Sequence, residues 1–328
     1  MKILSIIGTR PQYIKIKSIY DYCRQNKISH KIIDTNQHYS NNVSRDLVID
    51  LGLEIDFNLD TNHSDEIDFI CKVTSALSNI VKKERPDIVF IYGDTNSTFC
   101  GALAAYKAGT PVAHIEAGER CFDNSVPEEI NRIYSDSIAK INFCSSRVAE
   151  KNIGGEFCGD LEYDTLNKIN PSIGFEDFGI MTIHRQSNCS IERMKNIFNF
   201  CSKVNKKIKF YAHHRIKKYI PETVPVNVSI LEPCKYSVMC ESLSKCSFII
   251  TDSGSIQKIS PFFGKNTLIM RDKCEWVETI DKGFSRLRNE DSSDIEWLLS
   301  NLTERDRNFY SKDKRLASEI IIKKILEI

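Results

Sequence analysis

Charge of one sign is the first thing this 328-residue chain lacks: 45 basic residues face 44 acidic ones, a formal net charge of +1. No overall field calls for nucleic acid as a partner. No apolar run approaches the roughly 20 residues that span a bilayer, so no membrane partner is expected. At the N-terminus, MKILSIIG, about five apolar residues run straight into Gly8 without the small-residue cleavage site of a signal peptide. That segment reads as a first buried strand, and the expected location is cytoplasmic. The 12 cysteines include no CxxC pair. A cytosolic setting argues against a disulfide framework and leaves most of them as small buried hydrophobes. A GxGxxG fingerprint is absent, which counts against an NAD enzyme. HxH and HExxH spacings are absent too, and His213 and His214, being adjacent, would face opposite ways on an extended strand. Neither a metal nor another cofactor is expected.

What remains is a globular composition, 27% charged and 41% hydrophobic, at a length that suits two domains. Short apolar runs alternate with amphipathic stretches. Ile3–Ile7, Lys31–Asp34, Ile88–Tyr92, Pro111–Ile115 and Ile141–Cys144 read as strands in the first half. Phe178–Ile183, Lys207–Tyr211, Val228–Leu231, Phe248–Thr251 and Asn266–Met270 do so in the second. Between them lie helices such as Glu66–Lys83, where Ile67, Ile70, Val73, Leu77 and Ile80 recur at helical spacing, with Ser64 as its expected N-cap. Strands without polar alternation, separated by helices, predict parallel sheets covered on both faces. The poorly periodic stretch Gly154–Ser172 separates the halves and puts the junction near residue 165. Two similar halves imply a cleft, with chemistry beyond the carboxyl ends of strands.

The residues at those ends are polar and titratable. GTRPQYIK follows the first strand: Gly8 permits a tight turn, and Arg10 and Lys15 stand near a helix start, where a cation is disfavoured unless an anion sits nearby. Solvated surface charges are the alternative. In TDSGS, Thr251–Ser255, small residues before a helix leave backbone N–H groups to face a phosphate, or simply cap the helix. Asp94 in YGDTNST, Glu116 in HIEAGER, Glu128 in PEEINR, His184 in TIHRQSN and His214 in AHHRIKK complete the set. Each has a structural explanation as well. Asp94 suits an N-cap, and Glu128 suits an ion pair with Arg132 four residues on. Five such groups at strand ends point to acid/base chemistry.

GTRPQYIK, NQHYS, YGDTNST, HIEAGER, PEEINR, TIHR, DSGSIQK and MRDKCEWVE, in this order, resemble the non-hydrolysing UDP-N-acetylglucosamine 2-epimerase family, from residue 1 to about 287. Gln12 and the EWVE of Glu275–Glu278 resemble the branch acting on UDP-2,3-diacetamido-2,3-dideoxyglucuronate. The resemblance implies an α/β fold like that of GT-B glycosyltransferases, two Rossmann-like domains with a cleft between them. Residues 1–165 would form the first, residues 166–313 the UDP-binding second, and helix 314–328 would pack back on the first. It implies a homodimer acting on a UDP-acetamido sugar.

The implied reaction inverts C2. That hydrogen is not next to a carbonyl, so UDP leaves as C2 is deprotonated, giving a glycal, and adds back with a proton on the other face. Opposed faces need two proton-handling groups, and the departing diphosphate needs cations and helix N-termini. By position, Asp94, Glu116, Glu128 and His184 match the family's catalytic residues. Arg10, Lys15, His214, Ser253 and Gly254 match its UDP-binding positions. Gln37 and His38 match the segment where some members bind a second substrate molecule as activator. Ile259 stands where the family usually has a ribose-holding Glu, Ser255 replaces the second Gly of DSGG, and Glu119 fills a place usually apolar or small. The competing functions are a hydrolysing epimerase that releases UDP and free sugar, a glycosyltransferase on the same scaffold, and a UDP-sugar sensor without catalysis.

Overall fold

The computed structural model describes residues 1–37, 41–59, 63–274, 276–300, 305–313 and 315–328. His38, Glu275 and Lys314 lie outside the described residues. The chain divides into two compact units, Met1–Lys168 with Phe309–Ile328, and Ile169–Asn308.

In the first unit seven parallel strands form one sheet: β1 (Lys2–Ile7), β2 (Ser29–Asp34), β3 (Phe57–Asn58), β4 (Ile88–Tyr92), β5 (Val112–Ile115), β6 (Ile141–Cys144) and β7 (Glu156–Phe157). Their order is β3-β2-β1-β4-β5-β6-β7. Every residue of β4 and β5 is buried, as expected of strands covered by helices on both faces. Ile6 pairs with Ile33 on one side and Ile91 on the other. These three join Val73, Leu77 and Ala105 in one apolar core.

The helix Glu66–Glu84 supplies that core from Phe69, Val73, Leu77 and Val81. Its N-cap is Asp65, whose carboxylate accepts from Asp68 N–H, whereas Ser64 lies one residue outside and gives its own N–H to Asp68. An ionised acceptor beside the positive end of a helix is the stronger cap, which displaces the expected Ser64.

The second unit has six parallel strands: β8 (Phe178–Thr182), β9 (Lys207–Tyr211), β10 (Val228–Leu231), β11 (Phe248–Thr251), β12 (Asn266–Ile269) and β13 (Ser285–Leu287). Their order, β10-β9-β8-β11-β12-β13, repeats the pattern of the first sheet. Strand order therefore reverses between β1 and β4, and again between β8 and β11. In open α/β sheets such a reversal leaves a crevice at the carboxyl ends of the two strands.

The stretch Gly154–Ser172, poorly periodic in sequence, contains the helix Leu161–Ile169. Its first six residues are all buried, Glu162 and Asp164 included, so it has no polar face to betray it. Asp164 accepts from Ala317 N–H at 2.9 Å, Ser318 N–H at 2.8 Å and Ser318 Oγ at 2.7 Å. It thereby caps the tail helix Ala317–Leu326, which buries Ile321, Ile322 and Ile325. Burial pushes the Asp164 carboxyl up to about 6 against the pull of these hydrogen bonds. Eight of the twelve cysteines are buried. Among the described residues no helix is long and apolar enough to cross a membrane.

Candidate active site

In the first unit the turn after β1 is built by close approach. A Cβ on Gly8 would fall 2.1 Å from Thr35 Oγ1 and 2.3 Å from Ser97 Oγ, so glycine is required. Gln12, buried in the first turn of helix Arg10–Gln25, locks the turn to the end of β4. Its Oε1 accepts from Gly8 and Thr9 N–H, and its Nε2 donates to the Tyr92 carbonyl at 2.6 Å.

The two carboxylates stand beside this turn. Asp94 follows β4 and forms an ion pair with Arg132 Nη2. Arg132 Nη1 also binds Glu129 at 2.9 Å. Burial lifts the Asp94 carboxyl above the usual carboxylate range; Arg132 pulls it down, and the negative charge of Glu116 adds to the rise. Burial works against the Arg132 charge, and its two carboxylate partners more than offset it, so its pKa rises. Glu116, directly after β5, adopts a left-handed backbone at φ 63° and pairs with the buried ammonium of Lys15. A non-glycine residue in that region costs energy and persists only where its surroundings impose it.

In the second unit His184 follows β8 and is half-buried. Its backbone N–H donates to Asp252 Oδ1 at 3.0 Å, and its Nδ1 stands 3.4 Å from the same oxygen. Asp252, wholly buried after β11, also accepts from Arg185 N–H at 2.9 Å and Asn188 Nδ2 at 2.8 Å. The carboxylate thus fixes the loop that carries the imidazole. His184 stands in a row with His213 and His214, ring centroids 5.8 and 3.9 Å apart. Because β9 ends at Tyr211, both histidines lie past the strand and stack on one side, instead of facing opposite ways. Ser253 caps helix Gly254–Phe263, its hydroxyl accepting from Ile256 N–H. Its own N–H is taken by Thr251 Oγ1 at 2.9 Å. The first-turn N–H groups of Gly254 and Ser255 have no acceptor among the described residues and are the ones left for an anion.

The structure therefore collects Asp94, Glu116 and Lys15 at one switch point, and His184, His214, Ser253 and Gly254 at the other. Lys15, expected on UDP, neutralises Glu116. Arg10 is exposed and has no ion pair among the described residues. Glu128 is exposed on the first turn of helix Pro127–Ile138 and makes none of these contacts; the partner of Arg132 is its neighbour Glu129, one helical turn away, which also accepts from Cys121 and Phe122 N–H. Asp94 is not an N-cap, since Thr95 caps the helix that follows. Gln37 Oε1 accepts from Ser97 N–H and from Ser97 Oγ. Ile259 is buried in the helix after Ser253, and Glu119 accepts from the Ser145 and Ser146 hydroxyls. Sequence reasoning missed Asp252, Glu129, His213 and Asn131, which donates to the Asp94 carbonyl at 3.0 Å. All four stand inside the quoted motifs TDSGS, PEEINR and AHHRIKK, where residue type alone did not single them out. Among the described residues no three His, Cys, Asp or Glu side chains are grouped to hold a metal.

A family model described as UDP-N-acetylglucosamine 2-epimerase matches residues 21–325. The UDP-2,3-diacetamido-2,3-dideoxy-D-glucuronate 2-epimerase of Pseudomonas aeruginosa is 34% identical over 307 residues, 86% of this chain and 87% of its own. A UDP-N-acetylglucosamine 2-epimerase homolog of Methanococcus maripaludis is 33% identical over 332 residues, 92% of each. The crystal structure of Methanocaldococcus jannaschii UDP-GlcNAc 2-epimerase in complex with UDP-GlcNAc and UDP matches with a TM-score of 0.85 at 28% identity, covering 100% of both chains.

Proposed function

Since the chain belongs to the UDP-N-acetylglucosamine 2-epimerase family, we propose that it inverts C2 of a UDP-linked acetamido sugar by elimination and re-addition of UDP. The observation that carries this reading is the pair of charge-compensated carboxylates, Asp94 on Arg132 and Glu116 on Lys15, at the ends of adjacent strands. In the elimination the C2–H bond breaks to a protein base while the C1–O bond breaks to UDP, leaving a glycal. In the return step UDP re-forms the C1–O bond and a protein acid delivers a proton to the opposite face of C2. Inversion leaves the oxidation state of every carbon unchanged, so the reading carries no redox cofactor.

Proton handling falls to Asp94, Glu116 and His184, with Glu128 assigned by its match to the family motif alone. A carboxyl held above its usual range, as burial holds Asp94, is suited to carry a proton nearer neutral pH. Anchoring of the diphosphate falls to Arg10, His214 and the N–H groups of Gly254 and Ser255. For the sugar, Gln12, the EWVE segment and the relative from P. aeruginosa support a diacetamido uronate, and the relative from M. maripaludis supports N-acetylglucosamine. Incubation in deuterated water with UDP-N-acetylglucosamine, its diacetamido-uronate relative and 6-deoxy amino sugars tests both points by NMR at C2. Deuterium at C2 with UDP still attached is the expected result. Free UDP accumulating in step with turnover would make the enzyme a hydrolase, and no exchange with any substrate would sink the reading.

A further inference from the structure

His114, in β5, is wholly buried, and its ring makes two hydrogen bonds: Nδ1 with Asp136 Oδ1 at 2.6 Å and Nε2 with the Gly93 carbonyl at 2.7 Å. A carbonyl oxygen only accepts, so Nε2 carries a hydrogen, and the contact with Asp136 fixes the ring's orientation. Asp136 extends the contact with its other oxygen. Oδ2 accepts from Gly118 N–H at 3.2 Å and from Arg120 Nη2 at 2.5 Å. Burial works against the charge on Asp136, and the hydrogen bonds from His114 and Arg120 more than offset it, holding the carboxyl below its usual range. One carboxylate therefore grips the chain on both sides of Glu116, at His114 before it and at Gly118 after it.

The turn between those points has little slack. Gly118 sits at φ +81°, and a Cβ there would fall 2.4 Å from the Ala149 carbonyl. Glu116, in the left-handed region at φ 63°, lies inside this grip. The same imidazole holds the Gly93 carbonyl, in the peptide immediately before Asp94. Apolar side chains would fill this space without desolvating a carboxylate. They would not hold two loop backbones by directed hydrogen bonds.

We propose that His114 and Asp136 are positioning residues: together they keep Glu116 in its left-handed conformation and fix the peptide carrying Asp94, so that the two carboxylates hold one geometry through turnover. The part of this that concerns turnover rests on the epimerase reading above; the grip on the backbone does not.

The test uses the full chain with Asp136→Asn, His114→Gln and both together. In each single variant the introduced amide can still meet its partner, but Asp136→Asn loses the charged acceptor and His114→Gln loses the ring that reaches the Gly93 carbonyl. Each single change should lower kcat for C2 deuterium incorporation about 10- to 100-fold while KM and the UDP Kd stay within about threefold. The double variant should stay within about threefold of the weaker single, as expected of two changes in one link. Amide hydrogen exchange at Gly118 and at Asp94, whose N–H belongs to the peptide His114 holds, should rise about tenfold in both single variants. A kcat within about threefold of wild type in both singles, activity and UDP affinity lost in parallel, or unchanged exchange at those two amides would each overturn the proposal. If the wild-type chain places no deuterium at C2, the epimerase reading fails by itself, and amide exchange still decides whether the grip exists.

Discussion

The two units share one strand order and differ in what they put at the point where it reverses. In the first, the carboxylates are presented and cations hold them: Lys15 on Glu116 and Arg132 on Asp94. In the second, the carboxylate is the holder. Asp252 is buried and takes three N–H groups so that an imidazole is presented in front of it. One scaffold position thus yields an acidic tip or a basic tip according to whether its charged residue faces outward or back into the sheet. The same substitution, a carboxylate removed, should therefore have opposite consequences in the two units.

Asp252→Ala should have the largest effect. It deprives two backbone N–H groups and the Asn188 amide of a charged acceptor, a loss of roughly 3–5 kcal/mol. Calorimetry should show the melting temperature of the chain falling by about 10 °C. A fall under about 2 °C would mean that Asp252 is not scaffolding, and the contrast between the units would disappear. Asp94→Asn should do the reverse: turnover drops about 10²-fold or more, while stability moves by about 1 kcal/mol or less, because Arg132 keeps Glu129 at 2.9 Å. Burial already disfavours the Asp94 charge, so an amide removes a charge the fold holds at a cost. Deuterium incorporation and melting of the same sample check it. A melting loss as large as that of Asp252→Ala would make Asp94 a holder as well.

Which group presents and which holds is where sequence reading ran out. The central strands were legible because their apolar runs are continuous. The edge strands Phe57–Asn58, Glu156–Phe157 and Ser285–Leu287 were not, since two or three residues are too few to show a period. Helix Leu161–Ile169 was hidden by burial of its polar residues. Asp94, Glu116 and His184 were legible as titratable groups closing strands. Their partners were not: Asp252 lies 68 residues from His184, and Arg132 lies 38 from Asp94, distances across which no local pattern operates. Glu128 and Glu129 are indistinguishable by type, and only folding decides that the second is buried on Arg132 while the first faces solvent.

The units differ also in that the first receives the tail. Asp164 is held at about 6, above the roughly 3.9 of an unfolded aspartate, so the native state binds this proton more tightly. Its contribution favours the fold below about pH 4 and is lost as pH rises through about 6. Asp164→Asn abolishes that dependence. Measured by urea unfolding, the stability of wild type minus that of the variant should fall by roughly 2–3 kcal/mol between about pH 4 and 6.5. A difference that is flat, or that grows with pH, would remove Asp164 as the anchor of the tail helix and with it this asymmetry.

The finest test concerns the Ser253 turn of the second unit, proposed above to anchor the diphosphate, where the contrast predicts that backbone, not side chain, does the binding. Ser253→Ala removes a helix cap whose hydrogen bond to Ile256 N–H is long, 3.4 Å, so the cost should be about 0.5–1 kcal/mol. The N–H of residue 253 still goes to Thr251 Oγ1, and those of Gly254 and Ser255 are untouched. UDP affinity measured by calorimetric titration should stay within about threefold. A weakening of about tenfold with melting unchanged would place the Ser253 hydroxyl on the phosphate. The second unit would then present a side chain as the first presents Asp94, and the difference between the two switch points would narrow to the sign of the charge.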